Sequence, residues 1–432
     1  MFKKLLSFFS SCWRIKDIRK KLLATLGFLV VLRFLAHIPL PGVNREVLKT
    51  IFSGNQFLGL LNIFSGGTLA NFSVTALGLA PYINASIIFQ LLGFMFPYFE
   101  RLTHEGEEGR RKIERYTKLA TLPLAIFQSL GMYALFKNQG VIGSLPPVLL
   151  VSLVASLTAG TFILIWLGNL ISEHGVGNGI SLLIFAGIIS QLPQDFVQTI
   201  AIVSQGGSWF NFFLFLALSL AVVAGIIFVN EAVRRLSVHY ARRVQGRKMY
   251  GGGVAYLPLR LNQAGVIPII FAVSVVLLPS MLGQFLGQVQ NEGIRNFAQS
   301  LAALFSPDGF TYNFVYFLLV VAFTFFYTMI VFNPEKIAET IQKNGGFIPG
   351  VRPGKATANY LNYLSLRLTL PGAIFLGVVA ILPVFTQRLT GIGTIALGGT
   401  GTLIIVSVVL ETAKTLESMM EARGYEKFLE NY

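Results

Sequence analysis

The sequence predicts an all-α polytopic membrane protein, ten transmembrane helices arranged as two inverted five-helix halves. Three observations carry this. The 432-residue chain is 54% hydrophobic. Ten apolar stretches are each long enough to cross a hydrocarbon core about 30 Å thick, which takes roughly 20 mostly apolar helical residues. The positive charge alternates as well. Of the 34 Lys and Arg residues, with the span-end Lys118 and Lys137 counted in their adjoining loops, 28 lie in alternate loops and the two termini, five in the intervening loops, and one (Arg33) within a span. Basic loops near spans resist translocation, so both termini are expected in the cytoplasm. The same alternation accounts for a net charge of +15 without nucleic-acid binding.

The spans fall at 22–38, 74–96, 118–137, 149–170, 180–202, 211–230, 265–287, 313–332, 369–386 and 393–412. A cytoplasmic amino-terminal segment covers 1–21, the first half 22–202, the second half 203–412 and a cytoplasmic tail 413–432. The loops at 231–264 and 333–368 are too short for independent globular domains. The first apolar run lacks a small-residue cleavage pattern and reads as a span, not as a cleaved signal peptide. Cys12 is the one cysteine, which excludes an intramolecular disulfide.

An odd number of spans per half means that the second half crosses the membrane upside down. Gly78-Leu-Ala-Pro81 near the start of span 2 matches Gly265-Val-Ile-Pro268 near the start of span 7. More loosely, Gly175, Gly177 and Gly179 open span 5, while Gly398, Gly399 and Gly401 sit inside span 10. Paired interruptions in inverted halves point to a pathway between them, although Gly and Pro are common in membrane helices generally. No Asp or Glu lies mid-span. A proton- or ion-coupled solute transporter, the alternative reading, would place one there. Asp195 and Glu411 lie near span ends, and Arg33 and His37 in the last part of span 1, where a long side chain reaches the interface. The lining therefore looks neutral. No zinc spacing, nucleophile elbow or phosphate loop supports an enzyme; in particular, His104-Glu-Gly-Glu-Glu-Gly-Arg-Arg111 lacks metal-ligand spacing.

The loop between spans 6 and 7 threads Arg234, Arg235, Arg242, Arg243, Arg247, Lys248 and Arg260 with Tyr240, Tyr250 and Tyr256. Arg352 sits in the tight Gly350-Val-Arg-Pro-Gly354 turn between spans 8 and 9. Such loops suit an acidic or phosphate-rich partner or anionic lipid headgroups. The Gly-flanked Arg352 favours docking, because topology alone requires no such turn. Residues 57–73, too short and polar to cross, read either as a re-entrant piece or as an external amphipathic helix.

Several strings then resemble the SecY family of protein-translocation channels, from about residue 13 to 425. They are Asn62-Ile-Phe-Ser-Gly-Gly67, Ala76-Leu-Gly-Leu-Ala-Pro-Tyr-Ile-Asn-Ala-Ser-Ile87, Glu105-Gly-Glu-Glu-Gly-Arg-Arg-Lys112, Gly177-Asn-Gly-Ile-Ser181, Leu257-Pro-Leu-Arg-Leu-Asn262, Ala264-Gly-Val-Ile-Pro268, Val331-Phe-Asn-Pro334 and Pro349-Gly-Val-Arg-Pro-Gly354. The resemblance implies a central protein-conducting channel that passes unfolded polypeptide across the membrane and releases signal and transmembrane segments sideways into lipid. Its aliphatic pore ring would be Leu79, Ile83, Ile180, Ile184, Ile270 and Ile404, with Leu79 departing from the commoner Ile. Residues 57–73 become a re-entrant plug, centred on Asn62, Ile63, Phe64, Ser65, Gly66, Gly67, Thr68, Leu69 and Ala70. Asn84, Gln128 and Asn262 would form the polar cluster of a lateral gate built by spans 2, 3, 7 and 8. Arg352, with Arg234, Arg235 and Arg242, would dock the SecA ATPase or the ribosome. SecE and SecG are implied as partners, with SecDF, YidC and anionic lipids beside them, in a bacterial inner membrane. The resemblance implies no catalytic residue, metal or cofactor.

Overall fold

Backbone inside lipid must satisfy its own hydrogen bonds, which favours helices, and a helix occupies each of the ten predicted spans at least in part. The computed structural model describes residues 13, 15–40, 62, 65, 67–69, 71–138, 140–143, 145–204, 208–240, 243–245, 248–250, 253–286, 291–306, 309–391 and 400–430. The first half contains α1 (Lys16–Ala36), α2 (Ala80–Met95), α3 (Pro97–His104), α4 (Glu107–Asn138), α5 (Pro147–His174) and α6 (Gly179–Ser204). The second contains α7 (Trp209–Glu231), α8 (Ile267–Leu286), α9 (Glu292–Leu304), α10 (Phe310–Val331), α11 (Pro334–Lys343), α12 (Lys355–Thr390) and α13 (Thr400–Glu430). Among the described residues, six helices are each long and apolar enough to cross a membrane. The pair α2 and α3 adds a seventh if taken as one span broken by a 106° bend. α8 offers a shorter apolar stretch, Ile267–Ser280. α1 and α13 occupy the first and last predicted spans and run on into charged turns such as Lys16, Arg19, Lys20 and Lys414.

Two helix starts differ from the predicted span limits for one physical reason. Residues 74–79 are turns, and α2 begins only at Ala80, with Pro81 in its first turn. α8 begins at Ile267, followed directly by Pro268. The glycine three residues before each proline has positive φ, +59° at Gly78 and +66° at Gly265. A left-handed glycine turns the chain at no Cβ cost, and proline tolerates the first helical turn, where no intrahelical N–H partner is lost. The matched Gly-x-x-Pro strings are therefore helix starts in both halves, not mid-helix breaks.

The membrane body is helical, whereas the two long basic loops add strands, the second loop between α11 and α12. β1 (Val233–Tyr240) pairs antiparallel with β4 (Val254–Arg260), and β5 (Gly346–Phe347) pairs with the other edge of β1. β2 (Arg243–Gln245) and β3 (Lys248–Tyr250) form a short separate ribbon. Loops that are each too small for a domain thus build one small assembly jointly. Val238, Ala338, Ile341, Ile348, Ala358 and Leu361 form its apolar core, distinct from the membrane core. The alternation of Leu236 and Val238 with polar neighbours is a strand period that charge counting passed over.

Candidate functional site

The largest apolar core gathers around the centre of the bundle. Leu79 caps α2, and its carbonyl accepts the Ile83 amide at 3.0 Å, so the two side chains follow on one helix face. Leu79, Ile83, Ile184, Ile270 and Ile404 are all buried in this one core, supplied by α2, α6, α8 and α13. Ile180 packs at its margin. Its Cγ1 lies 3.1 Å from where a Cβ on Gly168 would stand, so it leans on α5. The structure thus brings five of the six expected ring residues into one core, and ties the sixth to a neighbouring helix.

The described part of the expected plug segment folds against this core. Asn62 and Gln191 of α6 pair reciprocally. The Asn62 amide donates to Gln191 Oε1 at 3.2 Å, and the Gln191 amide donates to the Asn62 carbonyl at 3.2 Å. Ser65 donates to the Asn62 carbonyl at 3.0 Å, and Thr68 donates to the Thr75 carbonyl at 2.8 Å. Gly67 packs on the Gln191 side chain. Leu69 and Phe72 are each 1% exposed, and Phe72 meets Phe136 of α4 edge-on at 5.2 Å between centroids. The bridge Pro39–Ser73 anchors the far end. Of the two readings of this segment, the re-entrant one agrees with Leu69 sitting in the central core. Ile63, Phe64, Gly66 and Ala70 lie outside the described residues.

The expected polar gate cluster is arranged differently. Asn262 is buried, and its amide donates to Asn230 Oδ1 of α7 at 2.9 Å and to the Gly265 carbonyl at 3.2 Å. Its Oδ1 accepts the Gly265 amide at 3.0 Å. Asn230 in turn donates to Ser407 of α13 at 2.9 Å. These contacts use both donors of Asn262 and one of the two lone pairs of its Oδ1, and they go to Asn230 and Gly265 and not to the half-buried Asn84 and Gln128. Asn230 and Ser407 were missed in the sequence; the isolated Asn at the end of an apolar span was the available signal. α2 and α4 pack together, α8 packs on α10, and α8 also reaches α2 and α4. Along that seam Phe94 of α2 meets Phe326 of α10 at 4.6 Å between centroids.

Arg33 also departs from expectation. Its guanidinium turns inward and donates to the Ala186 carbonyl of α6 at 2.6 Å, instead of reaching the interface. His37 Nδ1 meets the Arg33 carbonyl at 2.8 Å.

On the loop assembly, Arg234 and Arg235 of β1 are exposed opposite Leu259 and Pro258 of β4. Arg352 is exposed between Gly350 and Gly354. The Thr357 hydroxyl donates to the Arg352 carbonyl at 2.8 Å, which ties the turn to the first turn of α12. Arg242 lies outside the described residues.

The SecY family model matches residues 73–413. A protein translocase subunit SecY of Streptomyces galbus is 44% identical, covering 98% of this chain and all of that protein. Its counterpart in Halalkalibacterium halodurans is 43% identical over 97% of this chain and 99% of its own length. Among solved structures, a protein-conducting channel shares the fold at a TM-score of 0.65 and 19% identity, covering 93% of this chain and 92% of its own. A SecY structure solved to study its plug domain gives a TM-score of 0.63 at 20% identity, with the same coverage. The apolar helices and these matches lead to one conclusion: the chain is a multi-pass membrane protein of the SecY family, a protein-conducting translocase subunit.

Proposed function

We propose that this chain forms the pore through which unfolded polypeptide leaves the cytoplasm, with both of its own termini on the cytoplasmic side of a bacterial inner membrane. The observation that carries the reading is that Leu79, Ile83, Ile184, Ile270 and Ile404 belong to the same buried apolar core as Leu69 of the plug segment. A narrow aliphatic constriction dewets and blocks ions, yet yields to varied side chains. The chain performs no chemistry, so SecA hydrolysis of ATP, synthesis on the ribosome or the proton-motive force must drive movement. The halves 22–202 and 203–412 part along the seam of α2 and α4 against α8 and α10, where apolar segments reach lipid. SecE clamps the two halves, with SecG beside them.

Site-specific photocrosslinking from Ile83, Ile184 and Ile404 to a stalled secretory precursor tests the path. Crosslinks are expected from all three positions and none from Phe213, which is 62% exposed on α7. Absence of crosslinks with stalling confirmed would overturn the central path and favour a solute transporter.

The exposed arginines of the loop assembly are the docking surface for SecA or the ribosome. Arg352→Glu is expected to reduce SecA-driven export into vesicles about tenfold or more, since reversing a charge at a docked interface costs several kcal/mol. Stability should hold, because the side chain is exposed. Undiminished export would remove Arg352 from docking.

A further inference from the structure

A charge within a membrane span is costly and is placed for a purpose. Arg33 is the one Lys or Arg that lies inside a predicted span and not at its first or last residue, and translocation through an aliphatic ring does not use it. Its guanidinium is held by a neutral group, the Ala186 carbonyl at 2.6 Å. Among the described residues no carboxylate pairs with it. Among the described residues its positive charge is therefore uncompensated. The side chain lines a small cavity together with Ser65 and Thr68 of the plug, Leu79 and Ile184 of the ring, and Gly187 of α6. The charge thus sits between the plug segment and two of the ring residues.

We propose that Arg33 is the residue that sets ion selectivity in this channel, an electrostatic barrier to small cations at the outer mouth of the ring. The ring is aliphatic and selects by size and dewetting; it carries no charge with which to tell a cation from an anion. A fixed positive charge in partly apolar surroundings does so, as a lone arginine does in other narrow pores. At about 6 Å and an effective dielectric near 40, it changes the local concentration of a monovalent ion by about tenfold, down for cations and up for anions. The inference rests on the central path proposed above.

Ion currents through the reconstituted translocase in planar bilayers test it, under a KCl gradient and in an Ile184→Gly background that widens the ring. The parent is expected to prefer chloride. Arg33→Gln retains a donor for the Ala186 carbonyl but loses the charge, and should lower the chloride-to-potassium permeability ratio about tenfold or more. Arg33→Lys should keep the preference and Arg33→Glu should invert it. If Arg33→Gln does not accumulate, Ser65→Asp sets a carboxylate across the same cavity and should likewise pull the reversal potential toward zero. A reversal potential unchanged in these variants would overturn the inference and leave the central path standing. No added current from Ile184→Gly would overturn the central path and this inference with it.

Discussion

Deleting residues 62–70 is expected to raise the resting ion conductance of reconstituted channels by about two orders of magnitude. The deletion removes the paired Asn62–Gln191 hydrogen bonds, each worth about 0.5–1.5 kcal/mol. It also removes the Leu69 side chain, 1% exposed in the central core, whose burial contributes about 2 kcal/mol. Together these hold the segment seated by roughly 3–5 kcal/mol, and each 1.4 kcal/mol is a factor of ten in the closed-to-open ratio. The contacts of Phe72 with Phe136 and of Ser73 with Pro39 lie beyond the deletion, so the bundle should still fold. Gln191→Ala, which removes the hydrogen-bond partner and its packing on Gly67 but leaves Leu69 in place, should give a smaller leak of the same kind. Single-channel recording without a substrate is the measurement, and a resting conductance equal to the parent's would mean that the segment is not a seal.

Gly179→Ala is expected to destabilise the protein by about 3 kcal/mol or more, at the upper end for overpacking. Gly179 opens α6, and a Cβ there would stand 1.9 Å from the Gly168 carbonyl oxygen of α5. That obstacle is backbone, which cannot rotate away as a side chain does. Relief requires α6 to move off α5, and α6 carries Ile184, the Gln191 that holds the plug and the Ala186 carbonyl that holds Arg33. The Gly179 amide also donates to Ser172 Oγ at 2.9 Å, a contact the same movement would break. Gly27 in α1 provides the control, since a Cβ there meets nothing within 4 Å; Gly27→Ala should be neutral or slightly stabilising, as expected for a helical glycine. Thermal unfolding of the two purified variants separates them. Equal midpoints would show that α5 and α6 have more room than their backbone spacing indicates.

The glycines at 175–179 illustrate what could be seen in advance and what could not. Their density was legible as an opening of span 5, whereas their purpose required the distance between α5 and α6. Arg33 was legible as a charge within a span, but its direction was not. A long side chain near a helix end has both water and the interior within reach, and the deciding partner, Ala186, is 153 residues away. Asn262 shows the same limit. The motif marked it as a gate residue, while its donors are taken by Asn230 and Gly265, because its orientation depends on where α7 lies. The loop sheet was missed for a related reason: β5 is a strand only because β1 offers it an edge.

By itself the sequence determined the membrane class and the matching helix starts at Gly78-Leu-Ala-Pro81 and Gly265-Val-Ile-Pro268, and its motif strings carried the resemblance to the family. The first two follow from hydropathy, charge or local backbone chemistry within about 20 residues, and they hold whatever the helices pack against. Tertiary structure alone decided that five aliphatic side chains share one core, that Asn62 is held by Gln191, that Arg33 faces the cavity and that two basic loops make one sheet. Those outcomes depend on which groups meet across long stretches of chain, since a buried polar group takes whichever partner the packing of its helix brings within hydrogen-bond reach.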